Sequence, residues 1–239
     1  MNTKHNFKSL VLWEDEDYIA VNKPPFIATL EDRVASTHLL ALAKVHVPEA
    51  QACHRLDKNT SGILVFAKNP PAYRHLSLQF QNRQVVKLYH AVVDGIHRFE
   101  EVAVNLPLLK QNDGTVKISR KKGRPAETWI NTLQVFRNHT LVQCRPVTGR
   151  MHQLRVHLAS LGASIAGDEQ YGGKPVYLSS LKKGYTLKKF SEEQPLMKRM
   201  ALHALSLTFK RLSGESITLE APYPKDMKAL LRQLELTAR

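Results

Sequence analysis

The strongest local constraint in the chain is a polar turn followed at once by an apolar run. Residues 54–62 read His-Arg-Leu-Asp-Lys-Asn-Thr-Ser-Gly, and residues 63–67 read Ile-Leu-Val-Phe-Ala. The apolar run is rich in β-branched and aromatic residues and predicts a buried strand, whereas residues 59–62 predict a turn. Asp57 is therefore expected on a loop that a rigid strand supports, where catalytic groups concentrate. The alternative is an Asp that only caps the turn by accepting hydrogen bonds from neighbouring backbone N–H groups.

The charge balance narrows the range of partners. Lys and Arg number 35 against 21 acidic residues, which gives a formal charge of +14. Such a positive field attracts polyanions, so nucleic acid is the expected partner. A membrane is not, because no segment approaches the roughly 18 consecutive apolar residues of a spanning helix. The N-terminus lacks the apolar core of a secretory signal, and the two distant cysteines, Cys53 and Cys144, fit a reduced, cytoplasmic interior.

Apolar periodicity predicts short strands and helices in an irregular order. The predicted strands are 11–12, 18–21, 63–67, 85–93, 128–135, 140–147, 206–209 and 217–219, and the predicted helices are 36–44, 70–81, 151–161 and 225–236. A Ser/Thr cap is expected for the first helix and an Asn69 cap for the second. Since no regular βαβ rhythm appears, the order favours an α+β fold with a central mixed, largely antiparallel sheet flanked by helices and loops. No linker divides the chain, so residues 1–239 are expected to form a single domain.

Two basic segments stand out from the remaining charges. Residues 114–125 carry five Lys and Arg side chains between apolar runs, and residues 182–189 carry four more. The first segment is predicted to be a mobile hairpin tip or loop. A charge run of this kind is usually a solvated face, and contact with phosphate is the other interpretation.

The motif at residues 54–62 resembles the signature of the RluA-like pseudouridine synthases, in which the Asp is catalytic. Four further segments match the same family in the expected order, across about residues 12–235. These are Val21-Asn22-Lys23-Pro24, the Lys-x-Tyr strand within 83–95, the long segment 145–173, and Leu202-His203-Ala204 with the closing Ala221-Pro222. Ordered matches of this kind are far more specific than one short motif.

The chain also departs from the family pattern. Pro25-Phe26 stands where the family commonly has a small residue and then Gly, and Asn59 stands where Asp is usual. Met151 and Leu154 replace the usual Thr and Ile. None of these changes touches Asp57, so they bear on how the substrate fits rather than on the chemistry.

The resemblance implies a set of site residues. Asp57 would be the catalytic carboxylate, Arg155 its guanidinium partner and Tyr89 an active-site ring that stacks on the target base. A carboxylate in a closed pocket is disfavoured in its charged form by desolvation, and a fixed cation counteracts this. Arg55 would fill the gap that the extruded nucleotide leaves. Lys87, which lies on the same predicted strand face as Tyr89, and His54 would bind substrate.

Taken alone, these residues also have ordinary structural interpretations. Arg155 would be an exposed arginine on an amphipathic helix, and Tyr89 a filler of a half-buried strand. The Gly-Asp-x-x-Tyr-Gly segment at 167–172 is expected to be a structural turn. A zinc site is not expected, because His152 and His157 are five residues apart on the predicted helix and would not share a face.

The implied reaction is the isomerisation of uridine in ribosomal or transfer RNA to pseudouridine. No cofactor is expected, because no group enters or leaves. Asp57 would either attack C1′ as a nucleophile or remove a ribose proton, and the sequence leaves both routes open. No separate N-terminal RNA-binding domain is expected, and a monomer without an obligatory protein partner is expected. The alternatives are a non-catalytic RNA-binding protein of the same fold and an RNA hydrolase that uses Asp57 with His54.

Overall fold

The computed structural model describes residues 6–31, 37–182, 184–187 and 191–237. Its helices are α1 (Leu39–His46), α2 (Pro70–Gln81), α3 (Gln153–Ser160), α4 (Leu178–Leu181) and α5 (Lys225–Thr237). Its strands are β1 (Val11–Glu14), β2 (Tyr18–Lys23), β3 (Gln51–Ala52), β4 (Ser61–Ala67), β5 (Val86–Asp94), β6 (Val102–Asn105), β7 (Leu108–Lys110), β8 (Val116–Ile118), β9 (Glu127–Val135), β10 (His139–Pro146), β11 (Leu202–Lys210) and β12 (Ser216–Glu220). The chain divides into two compact units, unit 1 (residues 1–88 and 203–222) and unit 2 (residues 89–202 and 223–239). The expectation of a single domain stays a prediction.

Unit 1 is built around β4, whose seven residues are all buried. β2 runs antiparallel to β4, β11 runs parallel to its first residues, and β12 pairs antiparallel with β11. The sheet of unit 1 is therefore mixed, as the sequence predicted. Helix α2 begins as expected, because the Asn69 side chain accepts a hydrogen bond from the Ala72 N–H at 2.9 Å.

Unit 2 is an antiparallel sheet with an aliphatic core. β10 lies between β5 and β9, and β6 pairs with the other edge of β9. The buried residues of these strands pack with those of α3 and α5 in one apolar cluster. α5 lies close to its predicted bounds and contributes Met227, Leu230 and Leu234 to that core.

Three local predictions were wrong in detail. The described part of the first helix begins at Leu39 and is capped by the His38 side chain rather than by Ser or Thr; residue 36, where it was predicted to begin, lies outside the described residues. Ser61 and Gly62 belong to β4 rather than to the turn. The third helix begins at Gln153, because His152 has a left-handed backbone with φ 53° and cannot continue a helix.

The basic segment 114–125 is more regular than predicted. Val116–Ile118 forms β8, which pairs with β7 in a small hairpin. Residues 120–122 form a turn, and Arg124 makes an isolated antiparallel bridge with Leu108. Val116 is buried, and its N–H donates to the Tyr171 hydroxyl at 2.9 Å. The second basic segment is described only in part, since residues 183 and 188–190 lie outside the described ranges. No helix among the described residues is both long and apolar enough to cross a bilayer.

Candidate active site

The loop that carries Asp57 is held through its backbone by the segment that follows β2. The Thr29 hydroxyl accepts a hydrogen bond from the Leu56 N–H at 3.1 Å and donates one to the Leu56 carbonyl at 3.0 Å. The N–H of Phe26 donates to the Lys58 carbonyl at 2.8 Å, and the N–H of Thr60 closes a turn onto the Asp57 carbonyl at 3.0 Å. The residues on both sides of Asp57 are therefore fixed by bonds to main-chain atoms.

Lys23 is the centre of this support. Its side chain is 0% exposed, and burying an ammonium group is costly unless hydrogen bonds satisfy it. The Nζ atom donates to the carbonyls of Pro24 at 3.0 Å, Ile27 at 2.8 Å and Lys58 at 3.1 Å. One buried cation thus joins the end of β2, the following turn and the Asp57 loop.

The side chains of the loop alternate between the interior and the surface. Leu56 is buried, Arg55 and Lys58 are exposed, and Asp57 is half-buried. Among the described residues of unit 1, none donates a hydrogen bond to the Asp57 carboxylate. The interpretation of Asp57 as a simple turn cap is therefore wrong, since a cap would bond the nearby N–H groups.

The strand behind the loop is locked to β11 at one point of close approach. Gly62 has φ +119°, and a Cβ atom there would lie 2.1 Å from the Ala204 carbonyl oxygen. Only glycine fits both the conformation and the space. Beside it, the buried His203 ring bonds the Ser61 hydroxyl and the Ala221 carbonyl, each at 3.0 Å. His203 therefore joins the two C-terminal elements matched to the family, residues 202–204 and 221–222, and connects them to the start of β4.

His54 and Lys87, which with Arg55 are the predicted substrate-binding residues, both lie in unit 1, and the charge of Lys87 acts on the His54 ring. The His54 Nε2 atom accepts a hydrogen bond from the Val65 N–H at 3.1 Å, and the ring stacks on Phe80 at 4.7 Å. Burial, together with the nearby charge of Lys87, lowers the pKa of His54 to about 3. Burial also lowers the pKa of Lys87 to about 8. His54 is thus a neutral ring bound to β4, which does not suit it to be the acid–base partner of a hydrolase.

Tyr89 lies on β5 in unit 2, opposite Cys144 of β10. It is half-buried and packs against the unit 2 core. The next residue, His90, bonds the Tyr223 hydroxyl through Nδ1. The stacking role of Tyr89 stays a prediction, and its partly exposed side chain is compatible with that role.

The alternative that Arg155 is an ordinary exposed arginine on an amphipathic helix is wrong. Arg155 is 9% exposed and makes a two-bond pair with Asp168, from Nε and from Nη2, each at 2.6 Å. Nη2 also donates to the Gln170 side chain at 2.8 Å, and the guanidinium lies 4.6 Å from the centroid of the Tyr171 ring. The turn at 167–172 is therefore a support for Arg155. The predicted pairing of Arg155 with Asp57 stays a prediction.

The division of the chain places His54, Arg55, Asp57 and Lys87 in unit 1, and Tyr89 and Arg155 in unit 2. The described residues contain no cluster of three or more His, Cys, Asp or Glu that could hold a metal ion. His152 precedes α3 and bonds the Tyr171 hydroxyl at 2.8 Å. His152 therefore lies outside the helix that contains His157, although the sequence predicted both residues on one helix.

Comparison with known proteins decides the family. The family model described as RNA pseudouridylate synthase matches residues 17–160, which include Asp57, Tyr89 and Arg155. The chain belongs to this family. The predicted family and enzyme class, an RNA pseudouridine synthase of the RluA-like type, are thereby confirmed.

The relatives are similar over nearly the whole chain. The ribosomal large subunit pseudouridine synthase C of Vibrio vulnificus is 31% identical over 238 residues, which cover 98% of this chain and 72% of the relative. The ribosomal large subunit pseudouridine synthase D of Haemophilus ducreyi is 34% identical, covering 94% and 70%. Among solved structures, human RNA pseudouridylate synthase domain containing 4 has a TM-score of 0.70 at 26% identity, with 96% of this chain and 95% of that chain covered. The expected α+β synthase fold is confirmed.

Sequence reasoning missed three residues that shape the synthase site. Lys23 was noted only as part of a motif, although a lysine within the apolar strand β2 could have been recognised as a buried cation. Thr29 carried no local signal, because its role depends on where Leu56 lies. Asp168 was assigned to a turn, and its spacing of thirteen residues from Arg155 carried no signal of the pair.

Proposed function

We propose that this synthase converts a uridine of ribosomal RNA to pseudouridine, with Asp57 as the catalytic carboxylate. The relatives are named for the ribosomal large subunit, which favours ribosomal over transfer RNA. The observation that carries the proposal is the mounting of Asp57. The backbone around it is fixed by Thr29, Phe26 and Lys23, while its half-buried carboxylate takes no hydrogen bond from the described residues of unit 1. A rigidly mounted carboxylate that stays partly exposed is what positioned catalysis requires.

The reaction balances without any added group. The bond between C1′ and N1 of the uridine breaks, the uracil turns, and C1′ joins C5. The proton on C5 leaves to solvent and N1 gains one. Asp57 acts either as a nucleophile that forms a sugar ester or as a base that removes a ribose proton, and both routes need it unprotonated. The target nucleotide must first leave its helix.

Tyr89 and Arg155 are proposed as the other catalytic residues. The half-buried Tyr89 offers a ring face for the uracil. Arg155 is a permanent cation that Asp168 holds through Nε and Nη2, and its proposed role is to favour the ionised form of the Asp57 carboxylate. Arg55 and Lys87 are proposed to contact the RNA, and His54 to support the loop from β4.

The charge of the chain supports an RNA partner. A formal +14 favours fast, salt-dependent association with a phosphate backbone. The exposed basic residues of the β7–β8 hairpin region, Lys117, Lys121 and Lys122, are proposed to contact phosphates outside the catalytic loop. A monomer that acts in the cytoplasm, where ribosomal RNA is assembled, completes the proposal.

The test is product formation by the variant Asp57→Asn. Large-subunit ribosomal RNA of the source organism, transcribed with 5-tritiated uridine, releases tritium as C5 is joined to C1′. We expect Asp57→Asn to lower the rate by roughly 10⁴-fold or more while RNA affinity changes within about threefold. Asp113→Asn, an exposed acid in the β7–β8 hairpin, is the matched control and should keep wild-type activity. Turnover near wild type in Asp57→Asn would remove the assignment, and strand breaks or free uracil would indicate a hydrolase instead.

A further inference from the structure

The turn between β2 and the Asp57 loop contains a strained aromatic residue. Phe26 has φ 68°, a left-handed backbone that is a genuine outlier for a bulky side chain. Pro25 precedes it, and proline followed by a left-handed residue is the pattern of a turn whose third position favours glycine. A residue held in such a conformation persists only where its surroundings determine it, and strain of this kind clusters at functional sites.

Burial of the ring does not offset this strain. Phe26 is 54% exposed, whereas its neighbour Ile27 is 8% exposed and Lys23 is 0% exposed. The side chains of Ile27 and Lys23 therefore lie in the interior, whereas the Phe26 ring lies largely in solvent. Glycine would relieve the strain, and an exposed ring adds little to the core. The fold alone gives no reason for phenylalanine at this position.

The backbone of Phe26 is bonded to the loop that carries Asp57. The Phe26 N–H donates to the Lys58 carbonyl at 2.8 Å, and the Lys23 ammonium donates to the same oxygen at 3.1 Å. Arg55 and Lys58 are exposed on this loop. Proteins hold single-stranded nucleotides by stacking and phosphate contact, and an exposed aromatic ring on a turn bonded to a loop with two exposed cations offers both kinds of group.

We propose that the Phe26 ring stacks on an unpaired base of the RNA substrate next to the target uridine, and that it sets substrate affinity rather than the chemical step. This inference rests on the proposed function, since it names an RNA contact of the same site. Stacking accepts any base, because every base has a π-face. Phe26 therefore serves RNA that is locally single-stranded, such as a loop whose target nucleotide has left the helix.

The test uses three variants of Phe26 to separate the effects of the ring, the side-chain shape and the backbone strain. Each is measured by tritium release from large-subunit ribosomal RNA. Phe26→Gly removes both ring and strain, Phe26→Leu keeps an apolar side chain without a ring, and Phe26→Tyr keeps the ring. We expect KM to rise about tenfold in the Gly and Leu variants, the size of one lost base–aromatic stack, and to stay within about twofold in Tyr. kcat should change little in all three. Leu212→Ala, an exposed apolar residue of unit 1 that is 42% exposed, is the matched control.

Melting temperature supplies a second measurement that separates substrate contact from folding. Phe26→Gly should melt no lower than wild type, because the left-handed conformation costs glycine little. A fall of more than about 4 °C would mean that the ring packs on the protein, and would overturn the proposal. An unchanged KM in Gly and Leu would also overturn it, leaving a protein partner as the ligand of this surface.

The proposed function and this inference fail in different ways. If wild type releases no tritium from ribosomal RNA, the proposed function fails, and filter binding of the same RNA still decides the role of Phe26. Equal affinities of wild type and Phe26→Gly would then sink the stacking contact. If wild type is active and Phe26→Gly has the same KM, the inference about Phe26 fails and the proposed function stands.

Discussion

The Asp57 loop of unit 1 and the Arg155 cluster of unit 2 hold their functional groups in opposite ways. The bonds that fix the Asp57 loop end on main-chain atoms of Leu56, Asp57 and Lys58. Arg155 is fixed through the guanidinium itself, by Asp168 and Gln170. The comparison teaches that the proposed reactive group is positioned through its backbone, whereas the proposed auxiliary cation is positioned by its own charge.

The largest expected effect is a contrast in stability between the two groups. Arg155→Ala leaves the buried Asp168 carboxylate, 3% exposed, without its cation, and we expect a loss of about 3–5 kcal/mol in the free energy of unfolding. Asp57→Asn should change stability by less than about 0.5 kcal/mol, because it removes no anchoring bond within unit 1. Urea unfolding of both variants measures this. Equal losses would break the comparison.

The same Arg155 variant tests the proposed pairing with Asp57. Its rate on ribosomal RNA should fall severely, and the acid limb of its pH–rate profile should move to higher pH, because the carboxylate loses a cation that favours its charged form. Arg155→Lys is the control for charge without the planar guanidinium. An acid limb identical to that of wild type would argue against the pairing while leaving the bond to Asp168 intact.

A smaller effect is expected when the main-chain support is removed. Lys23→Met replaces the buried ammonium by an apolar side chain of similar length and leaves the Lys58 carbonyl with one donor fewer. Displacement of the loop by a fraction of an ångström should lower kcat by about 100-fold. KM should change little, because Lys23 is fully buried. Steady-state kinetics on ribosomal RNA measure the split, and a change confined to KM would show that Lys23 does not position the loop.

The smallest effect is a pH dependence of stability that belongs to His54. Its folded pKa of about 3 lies below the ordinary value of 6.5, so the unfolded chain binds the proton more tightly. Stability should be complete above about pH 6.5 and should fall as the pH drops towards 3, by about 2 kcal/mol at pH 5. His54→Gln keeps an acceptor for the Val65 N–H and removes the titration. Chemical unfolding at about pH 7 and about pH 5 compares the two proteins, and an identical loss in both would exclude His54 as the cause.

Local periodicity was enough to predict most of the secondary structure. The run at residues 63–67 is buried as expected, the hairpin of β11 and β12 encloses the predicted turn, and Asn69 caps α2. Such features depend on neighbours within a few residues, which the sequence displays directly. Ser61 and Gly62 were missed because their strand pairing is with residues distant in the sequence. They pair with His203 and Ala204 of β11, and Gly62 also pairs with Lys23 of β2.

The candidate site likewise has a part that local sequence reveals and a part that depends on contacts between distant residues. The motif identified Asp57, and the family match covers it. The supports of Asp57 could not be predicted, since Lys23 and Thr29 act on carbonyl and amide groups that every residue carries. A bond to a main-chain atom leaves no trace in the identity of its partner. The Arg155–Asp168 pair joins two charged residues, yet nothing in their spacing distinguishes it from other pairings of the same charges.

The main-chain mounting of the Asp57 loop has a consequence for how the synthase could be retargeted. The exposed side chains of Arg55 and Lys58 are absent from the bonds that set the position of Asp57, because the support of Lys58 ends on its carbonyl. Their chemistry can be exchanged while the carboxylate stays in place. Surface libraries at these two positions therefore offer a route to new RNA preferences on an unchanged catalytic frame.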